Sequence, residues 1–442
     1  MAPLLQKFRQ IRARLSKGSF GHNVLVMFAG TALGQLGPVL AAPILTRLYA
    51  PEMFGVQGAF TAALFILAVV AAVRYEMAIP LAKTEEDATN LIALCFLALA
   101  GMTSILCFLL WFFTPLRFAW ASLGAMDPYR WWFPIGFVAL GAYQIMVYVA
   151  TQQNDFKTIA ATKLYQGVAG PLSQIVMGLA HFGTLGLVVG FIIGQSAGTS
   201  KFVLRLIIQR WRKMRAVNWV TIKSLAGRYK NFPLLSSWSG VINAAGDGPL
   251  LALALPMLYS TTVAGYVFLT DRIIGRPLLM ISTSILQVYV GETAKIATTN
   301  PAGVRKRFLQ LLAIQTAIVT TWLLVVNLLA SWFFPLLFGA EWGDAVPYLH
   351  VLSIALLPHL VTHTLIHTLQ VIEKQSLFAL WEVGRLIIVG GTLVGACSLG
   401  FDALHGLLAY SICQAGAHLV LLGLMYRSIQ QIQNKPAEFN DV

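Results

Sequence analysis

The chain has 442 residues, 57% of them hydrophobic and only 11% charged, with a formal net charge of +14. A soluble protein carries about 25% charged residues, so this sequence lacks the polar surface to cover a water-soluble fold of its length. Its positive charge lies in a few short segments between apolar runs, which sets membrane topology and argues against a nucleic-acid surface.

The apolar runs are each about 20 residues or more, enough to cross a hydrocarbon core of roughly 30 Å. The expected fold is all-α: a polytopic membrane protein of about twelve transmembrane helices in two six-helix lobes around a central cavity. The N-terminal tail is basic and amphipathic (Lys7, Arg9, Arg12, Arg14, Lys17). No short apolar stretch with a small-residue cleavage site follows it, so no cleavable signal peptide is expected. The spans are expected at residues 22–46, 55–78, 88–113, 131–151, 158–180, 184–208, 233–257, 264–290, 308–334, 345–370, 376–398 and 404–427. An even number of spans places both termini on one side.

Charge bias says which side. Lys and Arg concentrate in the N-terminal tail, in 210–230, in Arg305-Lys306-Arg307 and in the tail after Arg427, which are assigned to the cytoplasm. The segments assigned outside are 48–54, 114–130, 181–183, 258–263, 339–346 and 400–403. They hold few basic residues (Arg117, Arg130) and several acids (Glu52, Asp127, Glu341, Asp344, Asp402). Trp111, Trp131, Trp132, Trp332 and Trp342 gather near the outer boundaries, as an aromatic belt does. Cys95, Cys107, Cys397 and Cys413 all lie within apolar runs without metal-ligand spacing and read as small hydrophobes.

The two halves repeat. Leu48-Tyr49 followed by Gly55 matches Leu258-Tyr259 followed by Gly265, and Gly37-Pro38 matches Gly248-Pro249. Gly186, Gln195 and Ala197-Gly198 resemble Gly406, Gln414 and Ala415-Gly416. A near-constant offset points to internal duplication. With six spans in each half, the halves share one orientation and form lobes at 1–215 and 216–442, related by an axis along the membrane normal. Proline inside a span breaks a backbone hydrogen bond, so Gly-Pro in spans one and seven is expected to interrupt both helices. Matched interruptions point to a transport site, against the alternative of kinks used only for packing.

Charges inside the membrane are costly and usually face a bundle interior. Asp247 lies midway along span seven, with Asn243, Ser239 and Ser236 on the same helical face. Span eight carries Asp271, Arg272 and Arg276. The two arginines, four apart, share a face suited to a pyrophosphate-like anion, unless an internal salt bridge to Asp247 holds them. Span eleven has Glu382 and Arg385 three apart, which either line the cavity or neutralise each other. Arg74 and Glu76 end span two and are two apart, so they cannot share a helix face. Arg74 and Arg47 either meet substrate or snorkel to headgroups. Lys163 is a weaker candidate near the interface. His359, His363 and His367 recur every fourth residue on span ten, a stripe that either relays protons or makes interhelical hydrogen bonds. No metal-ligand set, nucleotide-binding loop or nucleophile elbow is present in the sequence. No cofactor is expected beyond a coupling ion, H+ or Na+, and the protein is not expected to be an enzyme.

The run Gly30-Thr31-Ala32 through Pro43-Ile44-Leu45-Thr46-Arg47-Leu48-Tyr49, then Pro51-Glu52-Met53-Phe54-Gly55, resembles bacterial polysaccharide-biosynthesis flippases. So does Arg74-Tyr75-Glu76-Met77-Ala78-Ile79-Pro80-Leu81-Ala82-Lys83 with Glu85-Glu86-Asp87-Ala88. These are O-antigen (Wzx-type) translocases of the multidrug/oligosaccharidyl-lipid/polysaccharide (MOP) exporter superfamily. The motif match covers roughly the first hundred residues; beyond it only span count and order agree. The resemblance implies two lobes around a cavity lined by spans one, two, seven and eight. It implies an undecaprenyl-pyrophosphate-linked oligosaccharide as substrate, carried from the cytoplasmic to the periplasmic leaflet of the bacterial inner membrane by alternating access with ion coupling. Membrane lipids, a polysaccharide polymerase and chain-length machinery would be its partners, and lipopolysaccharide O-antigen biosynthesis its setting. Only Arg47 and the Arg74-Tyr75-Glu76 motif carry over from the family as substrate-facing residues. Two other readings compete. A drug or organic-cation antiporter of the same superfamily would favour acids unmatched by Arg. A glycan polymerase would need a larger outer loop than 114–130.

Overall fold

The structure, a computed structural model, describes residues 20–112, 124–199, 217–246, 248–280, 282, 285, 301–372 and 374–433. Every regular element among them is helical, and a helix lies at each of the twelve expected spans. Among the described residues seven helices are each long and apolar enough to cross a bilayer, or eight with one bent pair counted as a single span. The protein is a multi-pass membrane protein. Contacts divide it into two compact units, residues 1–49 with 56–253 and residues 50–55 with 254–442.

The first unit holds α1 (Phe20–Leu48), most of α2 (Pro51–Ala68), α3 (Glu85–Phe112), α4 (Trp132–Gln152), α5 (Phe156–Leu179), α6 (Thr184–Ala197), α7 (Trp219–Arg228) and α8 (Ser237–Gly246). Its apolar core runs along α2, α3 and α4, where Phe60 meets Phe133 edge-on at 5.3 Å between ring centroids. α1 packs along α5. Contrary to the expected interruption, α1 continues through Pro38 and Pro43. Pro38 has no N–H to offer the Gly34 carbonyl one turn back. That carbonyl instead faces the Gly167 backbone, and a Cβ on Gly37 would strike the Gly167 carbonyl. Small residues let two backbones meet inside a membrane, and burial in protein removes the need for a cavity there.

Span two also departs from expectation. α2 stops at Ala68, and the chain turns through Val73 (φ 50) and Arg74 (φ 63) into a 3-10 helix over Tyr75–Leu81. Two consecutive left-handed residues end any α-helix. The 3-10 segment is held by α7, an amphipathic helix the hydropathy pattern does not foretell. Tyr75 donates to the Ala226 carbonyl at 3.3 Å, Tyr229 donates to the Leu81 carbonyl at 3.4 Å, and the Asn218 N–H donates to Asn90 Oδ1 at 2.9 Å.

In span seven the interruption is real. α8 and α9 (Pro249–Leu258) meet at a 62° bend. Gly248 sits at φ 77, a left-handed turn conformation natural to glycine, and Pro249 opens α9 at the helix position where its missing N–H costs least.

The second unit holds the rest of α9, α10 (Thr261–Thr270), a π-helical turn over Asp271–Gly275, α11 (Pro301–Phe338), α12 (Ala345–Leu365), the short α13 (His367–Val371), α14 (Gln375–Ser398) and α15 (Ala403–Gln433). α12 packs against α10, α11 and α15, and α14 against α15. The sequence repeat reappears in the packing. A Cβ on Gly186 would strike the Tyr49 hydroxyl, and one on Gly406 would strike the Tyr259 hydroxyl.

Candidate functional site

Within the first unit, the break after α2 creates a charged pair that helical spacing forbids. Arg74 in its left-handed conformation swings its guanidinium to within 4.0 Å of Glu76, whose side chain is 1% exposed. The expectation that the two cannot meet holds only for an unbroken helix. Arg74 Nε and Glu76 Oε2 are buried without a hydrogen-bond partner among the described residues. Gly240 of α8 makes room for the guanidinium, because a Cβ there would collide with Arg74 Nη2. Arg47, in the last turn of α1, is exposed. Lys163 donates to Gln166 Oε1 at 3.3 Å and lies over the Tyr143 ring at 4.8 Å. Asp247 lies outside the described residues, as does the Ser239 side chain; Asn243 on the same helix is exposed.

In the second unit, the π turn redistributes the charges of span eight. One extra residue per turn brings Asp271 beside Arg276, with Nε at 3.3 Å from Oδ2, and this pair is about half-exposed. Arg272 turns inward to 7% exposure. The two arginines therefore do not share one environment, as a regular i, i+4 spacing predicts. Arg272 makes no hydrogen bond or ion pair with any described residue. π turns inside membrane helices are frequently functional.

α12, α14 and α15 enclose a third polar group. Arg385 donates to Glu382 at 2.5 and 3.3 Å and to Gln414 Oε1 at 3.4 Å, and its guanidinium stacks on Trp381 at 5.3 Å. The Trp381 indole N–H donates to the Ala417 carbonyl at 2.9 Å. His418 of α15, 4% exposed, lies 3.2 Å from His359, 3.2 Å from Gln414 and 2.8 Å from Thr362. His363 follows one turn after His359, with ring centroids 6.2 Å apart. α12 ends at Leu365, so His367 begins a separate short helix. Sequence reasoning missed His418. The available signal was a histidine inside the apolar run of span twelve, one turn after Gln414. No group of His, Cys, Asp and Glu suited to a metal ion occurs among the described residues.

The sequence profile of the polysaccharide biosynthesis protein family matches residues 44–347. This chain belongs to that family. The match spans both units and includes the Arg74-Tyr75-Glu76 motif and the Asp271–Gly275 turn. No curated protein sequence matches the chain. Among solved structures, a MATE transporter in complex with MaL6 superposes with a TM-score of 0.56 at 15% identity, covering 93% of this chain and 96% of the other. The eukaryotic MATE transporter AtDTX14 gives 0.55 at 14% identity over 92% and 95%. A MOP superfamily transporter from Pyrococcus furiosus, described as having a binding pocket of reversed polarity, gives 0.54 at 14% identity over 93% and 96%. At such identities the likeness concerns the fold. This member of the polysaccharide biosynthesis family is thus an all-helical membrane protein with the fold of MATE transporters.

Proposed function

We propose that this family member flips an undecaprenyl-pyrophosphate-linked oligosaccharide, the repeat unit of O-antigen or another surface polysaccharide, from the cytoplasmic to the periplasmic leaflet of the bacterial inner membrane. Alternating access and ion coupling would drive it, with both termini in the cytoplasm. Family membership supports the setting and the shared fold supports transport. The observation that carries the choice of substrate is Arg272. A guanidinium buried at membrane depth with no counter-ion among the described residues is strongly unfavourable, and an incoming diphosphate would remove that cost through bidentate, charge-assisted hydrogen bonds. The Asp271–Arg276 pair beside it is neutral and does not compete. The same cation repels an organic cation, which weighs against the drug-antiporter reading.

The test is complementation. In a strain lacking its own flippase, the wild-type chain restores surface polysaccharide. Arg272→Ala is expected to abolish it, and Arg272→Lys, which keeps charge but not the planar fork, to restore it partly. Immunoblots of the membrane fraction establish equal protein levels. Full restoration by Arg272→Ala at wild-type level would remove the anion-binding role.

A further inference from the structure

α7 has an outer face that the packing of the first unit does not use. Ile222 and Leu225 are buried, and helical spacing puts Ala226 and Tyr229 on their side. From that side the Ala226 carbonyl and the Tyr229 hydroxyl bond to the 3-10 segment over Tyr75–Leu81. The opposite face centres on Val220 and Gly227. Trp219 with Lys223 borders it on one edge, and Ser224 with Arg228 on the other. Trp219 is 69% and Val220 73% exposed, and Lys223, Arg228 and Lys230 are exposed with them. Tryptophan beside valine, bordered by basic residues, suits a helix that lies in a bilayer interface.

The depth of α7 follows from its partner. α3 is long and apolar enough to cross a bilayer, and its first turn carries Glu85, Glu86 and Asp87. Asn218, the cap residue of α7, donates its backbone N–H to Asn90 Oδ1 at 2.9 Å. Asn90 lies five residues into α3, about 7.5 Å along its axis. The start of α7 is therefore level with the end of a membrane span. That is the headgroup layer, the difference between a hydrocarbon core of roughly 30 Å and a whole bilayer of about 40–45 Å.

Charge selects the lipid. Residues 201–230 hold nine Lys and Arg and no Asp or Glu. The three acids that open α3 leave this balance positive. Basic segments beside a span attract anionic lipid.

Resting on the charge-bias assignment of residues 210–230 to the cytoplasm, we infer that the outer face of α7 binds anionic phospholipid headgroups of the cytoplasmic leaflet. Trp219 and Val220 enter the interface, and Lys223, Arg228 and Lys230 meet the lipid phosphates. Arg228 lies over the Tyr229 ring at 5.4 Å, so one of these cations is set by the residue that also bonds to Leu81. Tyr75 and Tyr229 hold the two ends of the 3-10 segment. Lipid bound on α7 thereby steadies the segment that carries Glu76.

Amide hydrogen exchange of the full-length chain tests this by mass spectrometry, on peptides covering 217–230 and 75–81. Nanodiscs of phosphatidylcholine alone are compared with nanodiscs of phosphatidylcholine mixed with phosphatidylglycerol. The anionic lipid is expected to slow exchange in both peptides, and the slowing to fade as NaCl is raised, because salt screens the attraction. In Lys223→Gln/Arg228→Gln/Lys230→Gln the slowing is expected to be lost from both peptides. Lys306→Gln, in α11 of the second unit, is expected to keep it. In Tyr75→Phe/Tyr229→Phe it is expected to persist in 217–230 and disappear from 75–81. Equal exchange in the two lipids, or slowing that survives the triple change, overturns the lipid site. Slowing of 75–81 that survives loss of both hydroxyls overturns the link to Glu76. The salt series on the unaltered chain tests the site without any variant. None of these readouts depends on flipping, so their failure leaves the substrate reading untouched.

Discussion

Gly55 and Gly265 are reciprocal partners in the second unit: a Cβ on Gly55 would strike the carbonyl of Thr261, and a Cβ on Gly265 would strike the carbonyl of Pro51. Beside them Thr262 donates to Glu52 at 2.9 Å, across a separation of 210 residues that equals the offset of the sequence repeat. A contact in which residue i of one copy meets j of the other, and j meets i, is the mark of two-fold symmetry. The duplication read from Leu48-Tyr49 and Leu258-Tyr259 thus has a local two-fold at the start of α2 and α10. Phe54 seals it by packing edge-on to Trp342 at 5.0 Å.

Backbone meets backbone at that crossing, so no side chain can move aside. Gly55→Ala and Gly265→Ala are each expected to destabilise the protein by about 1–3 kcal/mol, the usual cost of overpacking. Gly101, whose Cβ would meet nothing, is the control: Gly101→Ala is expected to be neutral or to stabilise by up to about 1 kcal/mol through helix propensity. Thermal unfolding of the purified variants in one detergent gives the ranking.

The spans were legible because hydropathy alone must supply them: long apolar runs leave a backbone no alternative to a helix in lipid. The break in span seven was legible because Gly248-Pro249 has a local cause. Other features were not. Nothing in Val73-Arg74 announces a left-handed turn, since both residues are ordinary helix formers in a run that reads as continuous. A π turn over Asp271–Gly275 changes the register of Arg272 and Arg276 without changing composition. In span one Gly37-Pro38 looks identical to Gly248-Pro249, and only the tertiary contact with Gly167 shows why the first helix stays whole. His418 pairs with His359 across 59 residues, a relation no periodicity within one helix contains.

The repeat is not equal in its hydrogen bonds. Tyr49 donates to the Gln174 carbonyl at 2.6 Å, whereas the Tyr259 hydroxyl, pressed on Gly406, is buried with no hydrogen-bond partner among the described residues. Removing a made hydrogen bond costs about 0.5–1.5 kcal/mol, and removing an unmade one relieves desolvation. Tyr49→Phe is therefore expected to lower the unfolding temperature and Tyr259→Phe to leave it unchanged or raise it. Equal effects in the two variants would contradict the asymmetry.

Gly240 and Arg74 should be coupled. Gly240→Ala places a methyl group against the guanidinium, which must leave Glu76 and strand a buried carboxylate. Loss of one partner of a buried pair costs about 3–5 kcal/mol, so Gly240→Ala is expected to be strongly destabilising. In Glu76→Gln, where no buried charge remains to be stranded, Gly240→Ala should cost much less. A double-mutant cycle on thermal stability reads the difference.

Asp402 supplies the clearest acid dependence outside the membrane. The His405 N–H donates to Asp402 Oδ1 at 2.9 Å at the start of α15, and this backbone hydrogen bond, with the His405 side chain, holds the carboxyl below its ordinary value. A carboxyl lowered in the folded state stabilises above its unfolded pKa and loses that contribution as pH falls through the folded one. Asp402→Ala is expected to be less stable than wild type at neutral pH, with the gap closing in acid. A gap that widened on acidification would contradict the sign.

Glu382 and Arg385 form a pair of which Arg385 is 4% and Glu382 9% exposed, and each has a different dependence on the other. Arg385 keeps Gln414 and Trp381 if Glu382 is lost, but among the described residues Glu382 bonds to Arg385 alone. Arg385→Ala thus leaves a buried carboxylate and is expected to cost about 3–5 kcal/mol. Removing both charges in Glu382→Gln/Arg385→Gln eliminates the stranded group and should be milder than Arg385→Ala alone. A double variant that is less stable than Arg385→Ala would mean that the pair contributes more by attraction than it costs in desolvation.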